Sequence, residues 1–226
     1  MENVVIYTCI TGGYDKLLQP AVVEDGFDFV CFVGPGEKTC EREGVWEIRE
    51  LDCGLSDPAL LSRYAKMHPH VLFPEYEASV WIDGNIEILD GTLYRCVRTK
   101  VTAGVPYSGV PHYARDCSYA EAVKCRDMRY LNYFGLLKVW CWLFFNWLPR
   151  HAGLMENNLI FRRHNNPDVA AFDENWWNCV MKVSRRDQLS LMVCLRKAGL
   201  RRDYLLPHSQ STRNNPGFRY LLHKKN

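Results

Sequence analysis

An acid that directly follows a short apolar run is well placed to do chemistry. In Ala78-Ser79-Val80-Trp81-Ile82-Asp83-Gly84-Asn85-Ile86, the run Val80-Trp81-Ile82 reads as a buried strand, because β-branched and aromatic side chains fit a packed pleated surface. Asp83 then stands where the strand stops, and open α/β sheets take ligands outside the carboxyl ends of their strands. With the permissive Gly84 and the oxygen donor Asn85, Asp83 could hold a hard divalent cation together with a phosphorylated ligand. The other reading is a turn in which Asp83 and Asn85 bond their own backbone.

Four further groups could serve the same chemistry. Thr8 and Thr11 flank the end of a first strand, and Gly12, Gly13, Tyr14 and Asp15 follow. Two glycines there let the backbone approach a ligand, although a plain turn fits equally. Arg63 and Lys66 lie three residues apart, so they share a helix face and could clamp a diphosphate or simply face solvent. His112 and Arg115 precede a helix on a loop, where ligand-facing groups tend to lie. Ser118 and Glu121 form a capping-box pattern, and Ser184 with Asp187 is a second one, so both acids have a structural explanation beside a catalytic one. His208 follows a predicted strand and could ligate a metal.

The elements that must position these groups can be read from periodicity. Strands are predicted over Val4 to Ile10, Phe27 to Val33, Trp46 to Leu51, Val80 to Ile82, Ile86 to Leu89, Val101 to Tyr107, Glu156 to Phe161 and Leu205 to Leu206. Asp57-Pro58 opens a helix that Pro69 ends, Asp90 caps one through Val97, and Asn166-Pro167-Asp168 begins another. A last helix ends at Gly199. Gly34-Pro35-Gly36-Glu37-Lys38-Thr39 superficially suggests a phosphate loop, but its spacing is wrong and it reads as a surface turn. The aromatic segment Leu131 to Leu148 is only marginally long enough to span a bilayer. It is expected to pack against the sheet; the second reading is a surface that meets a lipid-linked substrate or a membrane face.

Length and composition bound the class. The 226 residues are 47% hydrophobic and 24% charged, which suits one globular domain over 1–226, with 131–150 as a helical annex. The net charge of +2 makes no electrostatic case for nucleic acid. Glu2 and the early Thr11-Gly12-Gly13 argue against a signal peptide or membrane anchor. Ten cysteines without a CxxC pair fit a reduced, cytoplasmic setting.

Five patterns stand in a fixed order: Tyr7 to Asp15, Ser62-Arg63-Tyr64-Ala65-Lys66, Trp81 to Asn85, Glu156-Asn157-Asn158 with Arg162-Arg163-His164-Asn165, and Arg186-Asp187-Gln188-Leu189-Ser190. Together they resemble the glycosyltransferase-like domain family known from plant mucilage and turgor-regulation proteins, which has bacterial members. The resemblance runs from the first strand to about Leu191. More distantly the chain is similar to retaining family-eight glycosyltransferases. That resemblance implies a GT-A-like, Rossmann-like α/β fold with a central mixed, mostly parallel sheet flanked by helices. It implies Asp83, Asn85 and His208 at a Mn2+ or Mg2+ ion, with the neutral Asn85 replacing an anionic ligand. It also implies Asn157 or Asn158 at the donor sugar, and Asp187 with Gln188 as the catalytic pair. The expected donor is a nucleotide sugar, UDP-linked, held also by Thr8, Thr11, Gly13, Tyr14, Asp15, Arg63 and Lys66. The expected acceptor is a glycan or lipid-linked sugar near His112, Arg115 and Glu156. The setting is surface polysaccharide synthesis in the cytoplasm or at the inner face of the membrane, with peripheral membrane contact. Two other classes compete. One is a nucleotide- or glycan-binding module on a degenerate transferase fold, which Asn85 invites. The other is a lipid-amide hydrolase, an activity attributed to a plant member, for which no GxSxG or HExxH pattern is present.

Overall fold

The computed structural model describes residues 3–207 and 210–222. The apolar runs become a seven-stranded sheet in the order β3-β4-β2-β1-β5-β8-β7. Its centre is parallel, built from β1 (Val4–Cys9), β2 (Phe27–Val33), β4 (Trp46–Glu50) and β5 (Ala78–Ile82). β1 and β5 are buried at every position, as strands covered on both faces must be. The short β3 (Arg42–Glu43) pairs antiparallel with β4 at one edge. On the other side β8 (Met155–Arg162) runs antiparallel to both β5 and β7 (Tyr107–Pro111). The result is a Rossmann-like α/β arrangement with a mixed, mostly parallel sheet.

Side-chain alternation along β1 divides the core into two layers. Val5, Tyr7 and Cys9 enter one layer, and Val4 and Ile6 the other. The first is covered by α1 (Pro58–Met67), α6 (Pro167–Lys182) and α7 (Gln188–Lys197), with α4 (Ser118–Asp127) and α5 (Tyr133–Phe145) outside them. A four-residue turn of helix, α2 (Pro69–Leu72), follows α1, so Pro69 starts a second helix as well as ending the first. The second layer is covered by α3 (Thr92–Thr102) and by a two-stranded ribbon of β6 (Ile86–Ile88) and β9 (Phe218–Tyr220).

Val101 lies in α3, not in a strand, because it sits one helical turn past Val97 with both buried, and the chain leaves the helix only at Gly104, whose φ is 65°. The strand expected at Leu205-Leu206 is reduced to an isolated bridge between Gly109 and Tyr204. β9 was not expected; its three residues carry too little periodicity to stand out. The aromatic α5 does not lie on the sheet. It packs on α4 and α7 through Val139 and Leu143 and leaves most of its aromatics in solvent. Among the described residues no helix is long and apolar enough to cross a membrane.

Candidate functional site

Topology gathers the polar patterns at one edge of the sheet. β1 and β5 are parallel, so Thr11 and Asp83 leave the same edge. β8 is antiparallel to β5, so its first residues, Glu156, Asn157 and Asn158, arrive where β5 ends. The register is tied down by the Asp83 amide, which donates to the Asn158 carbonyl at 2.9 Å. α1 crosses above with Arg63 and Lys66, and Asp187 and Gln188 stand at the start of α7. Together they line a cleft of about 930 Å³, within the usual size range of small-molecule sites.

Thirteen of the predicted site residues face this cleft. They are Thr11, Tyr14 and Asp15 on the first loop, Arg63 and Lys66 on α1, and Asp83 after β5. His112, Arg115, Glu156, Asn157, Asn158, Asp187 and Gln188 complete the set. Thr8, Gly13 and Asn85 do not line it. Thr8 is interior to β1, one strand residue short of the edge. Gly12 and Gly13 have φ of 67° and 63°, so their role is to turn the loop; Gly12 lines the cleft and donates its amide to Glu37 at 2.8 Å. Asn85 is buried and faces the C-terminal segment: its side-chain amide donates to the Leu221 carbonyl at 2.7 Å, and its carbonyl accepts from the Leu221 amide. His208 lies outside the described residues.

The centre of the cleft is an ammonium between two carboxylates. Lys66 Nζ lies 3.2 Å from Asp83 Oδ1 and 3.3 Å from Asp187 Oδ2, and 5.0 Å over the Trp81 ring. Trp81 Nε1 donates to the same Asp83 oxygen at 2.6 Å. The Lys66 backbone is pinned from behind. Its carbonyl accepts from Tyr7 Oη at 3.1 Å and from Arg162 Nη2 at 2.5 Å, while Arg162 Nη1 donates to Asp173 Oδ1 at 2.7 Å. Arg162 and Asp173 are fully buried. Burial pushes the Asp173 carboxyl above its ordinary range, against the pull of Arg162.

Asp187 shows the opposite balance. Burial would raise its pKa, but Lys66, Arg63 and Arg186 outweigh it and hold the carboxyl well below the carboxylate range. It is therefore ionised throughout the neutral range. The sequence reading gave Asp187 a capping role in the third helical position; it is instead the N-cap residue, with helical backbone angles and no side-chain cap bond, because α7 begins only at Gln188. Gln188 lines the cleft while its Nε2 donates to the Met155 carbonyl at 2.9 Å.

The capping box at Ser118 and Glu121 is also absent. Cys117 is the N-cap of α4, and Ser118 Oγ has no hydrogen-bond partner among the described residues. Glu121 turns to the cleft, pairs with Arg115 Nε and lies 3.7 Å from His112 Nε2. His112 Nδ1 accepts from the amides of Ala114 at 3.1 Å and Arg115 at 3.0 Å, which places the imidazole proton on Nε2. Burial, with Arg115 and Arg213, lowers its pKa to about 4 against the pull of Glu121. His112 is thus a neutral donor that shapes its loop, and its acceptor nitrogen is already used.

Glu156 receives two bonds from an arginine that sequence reasoning did not assign to the site. Arg213 Nε and Nη2 reach Glu156 Oε1 at 2.7 and 2.6 Å, and the guanidinium stacks 3.8 Å from Tyr220 and 4.5 Å from Tyr113. Burial raises the Glu156 pKa while Arg213 opposes it. Arg186 was visible as the neighbour of Asp187; Arg213 sits on an irregular segment and Tyr220 at the end of the three-residue β9, and neither gave a spacing signal.

Buried polar atoms without partners mark where a ligand would bond. The side-chain carbonyl oxygens of Asn157 and Asn158 are buried on the cleft side of β8 and make no hydrogen bond among the described residues, while the Asn157 amide helps to hold Asp187 ionised and Asn158 Nδ2 donates to Thr212 Oγ1 at 2.8 Å. Native interiors rarely leave such atoms unpaired. A divalent ion fits less well. Among the described residues no three His, Cys, Asp or Glu side chains gather as a ligand set, Asp83 Oδ1 is already engaged, and Asn85 faces away.

The histidines carry a pH prediction. Burial lowers both His112 and His164 to about 4 in the folded chain, against roughly 6.5 when unfolded. Between those values the unfolded state binds more protons, so stability falls as pH drops from about 6.5 toward about 4, and these two groups add no slope above about pH 7. Asp173, raised by burial to about 7, works in the opposite direction over the same range, so the imidazoles are followed one by one: NMR titration should show both neutral down to about pH 5, and a midpoint near 6.5 for either would contradict its assignment.

No curated protein matches the chain. A family model does, over residues 1–207, and its description is TOD1/MUCI70, glycosyltransferase-like domain. That match spans the sheet, the helices and every cleft residue up to Gln188, so the chain belongs to the TOD1/MUCI70 glycosyltransferase-like domain family.

Proposed function

We propose that the cleft binds a nucleotide-sugar donor, UDP-linked, and moves its sugar to a hydroxyl of a glycan or lipid-linked acceptor in surface polysaccharide synthesis. One observation carries this reading. Asp187 is ionised and buried among Lys66, Arg63 and Arg186, next to the unpartnered side-chain oxygens of Asn157 and Asn158. Arg63, Lys66 and Arg186 converge on one part of the cleft and can donate to a diphosphate, and the amide oxygens suit sugar hydroxyls.

In this reading Arg63, Lys66 and Arg186 stabilise charge that builds on the leaving diphosphate. Asp187 accepts hydrogen bonds from donor-sugar hydroxyls, and Gln188 lies near the anomeric carbon. An amide is a poor nucleophile, so the acceptor oxygen attacks from the face the diphosphate leaves, and configuration is retained. The bond from the anomeric carbon to the phosphate oxygen breaks, the bond to the acceptor oxygen forms, and the acceptor proton passes to the departing phosphate. His112 Nε2–H, Arg115 and Glu156 orient the acceptor. Of the residues the family-eight resemblance assigns to Mn2+ or Mg2+, the described ones supply only Asp83 in the cleft; an ion held there would neutralise charge on the leaving diphosphate. Loss of turnover in a chelator, restored by Mn2+, would show that such an ion is required.

The test is nucleotide release from a panel of UDP-, GDP-, ADP- and CMP-sugars. Turnover with one base is expected, and Lys66→Ala should lower it about 10²- to 10³-fold, the usual cost of one preorganised donor to developing charge. A binding module on the same fold is the second reading, favoured by Asn85, which leaves Asp83 as the single acid of its loop in the cleft. Nucleotide binding without turnover of any donor would select it.

A further inference from the structure

Helix α5 is apolar on the side it buries and on the side it exposes. With about 100° of rotation per residue, Val139 and Leu143 fall on one side of the helix and point inward. Tyr133, Phe134, Leu137, Phe144 and Phe145 share the opposite face, and Trp147 follows at the helix end; Phe134, Phe145 and Trp147 are 76%, 75% and 80% exposed. Cys141 lies among them, and Lys138, exposed beside Phe134 and Phe145, donates its ammonium to the Lys182 carbonyl at 2.7 Å. A surface helix of a globular protein normally turns charged residues outward. With roughly 200 Å² per aromatic side chain, the face leaves on the order of 700 Å² of apolar surface in water, above what monomers usually show.

Charge selects the occupant. From Met128 to Arg150 the chain carries Arg129, Lys138 and Arg150 and no acid. Arg126 lies over the Tyr133 ring at 5.0 Å and Arg150 over Tyr119 at 5.7 Å, so cations rim the aromatic face at both ends. At 13 residues α5 is about 20 Å long, too short to cross a bilayer and suited to lying in its plane. Tyrosine and tryptophan favour the headgroup level, and basic residues favour anionic lipid. Met128 and Tyr130, immediately before α5, line the rim of the cleft.

We propose that α5 seats the protein on an anionic bilayer, with its aromatic face in the headgroup region and the cleft mouth beside the lipid surface. The proposal does not depend on the donor reading of the cleft. Wild-type chain is expected to co-sediment with vesicles of phosphatidylcholine containing about 30% phosphatidylglycerol, with weaker binding at high salt. The double variant Phe134→Glu, Phe145→Glu should bind at least about tenfold more weakly while keeping its melting temperature, since both side chains are in solvent. Arg129→Glu with Arg150→Glu should lose the preference for the anionic vesicles. A wild-type chain that stays in the supernatant overturns the proposal. So does a dimer in solution that the Phe134, Phe145 variant breaks, which would assign the face to a second copy.

Discussion

Asp187→Asn is expected to fold and to lose turnover by about 10³-fold, the range seen when one preorganised charge at a reacting centre is removed. Asparagine has nearly the same shape. The start of α7 stays anchored because the Asp187 backbone carbonyl, not its carboxylate, accepts from Trp176 Nε1 at 3.0 Å. What changes is charge. Lys66 keeps Asp83 but loses Asp187, and a neutral amide presents donor hydrogens where the sugar hydroxyls of the proposed substrate need acceptors. The loss should fall mainly on kcat if the contact strengthens as the sugar flattens. Steady-state kinetics beside a thermal melt checks both parts; full turnover in a folded variant would remove Asp187 from the mechanism.

Asp173→Ala should produce the largest loss of stability. Arg162 is fully buried, and its partner would be gone. Stranding a buried charge costs about 3–5 kcal/mol, on the order of 10 °C in Tm for a chain of this size. Replacing both members, Arg162→Met with Asp173→Leu, should restore most of that loss, because two buried charges and their desolvation disappear together. The restored protein would still bind donor poorly in the proposed reading. Arg162 also holds Tyr7 Oη at 2.7 Å and the Lys66 carbonyl, and without it the ammonium of the cleft loses its support. Chemical denaturation of the single and double variants separates stability from positioning. A double variant as unstable as Asp173→Ala would contradict the account.

The parts of the molecule legible in the sequence are those where local chemistry and global packing agree. β1, β2, β4 and β5 announced themselves because strands buried or half buried in a parallel sheet must be rich in β-branched and aromatic residues. α1 was marked by Asp57, whose carboxylate accepts from the amides of Ala59 and Leu60, and by Pro58 at the first position. What could not be read is decided by distance along the chain. Lys66 meets Asp187 across 121 residues, and no spacing rule carries that. Arg162 read as part of a family pattern, with nothing to say that Asp173 would neutralise it in the core. Glu121 and Asp187 looked like caps because capping boxes are short local patterns; the structure uses both carboxylates in the cleft instead. Asn85 was placed with Asp83 because the two are near neighbours in sequence, but the turn at Gly84 sends the amide to Leu221. Arg213 came from a segment with no periodicity at all.

Calorimetric titration of nucleoside diphosphates into the wild-type chain, in chelator and in Mn2+, tests the central claim most directly. The account predicts saturable one-to-one binding of one diphosphate, UDP, lost in a folded Asp187, Arg63, Lys66 triple variant. No binding of any nucleoside diphosphate in either buffer, by a protein that melts cooperatively, would contradict it.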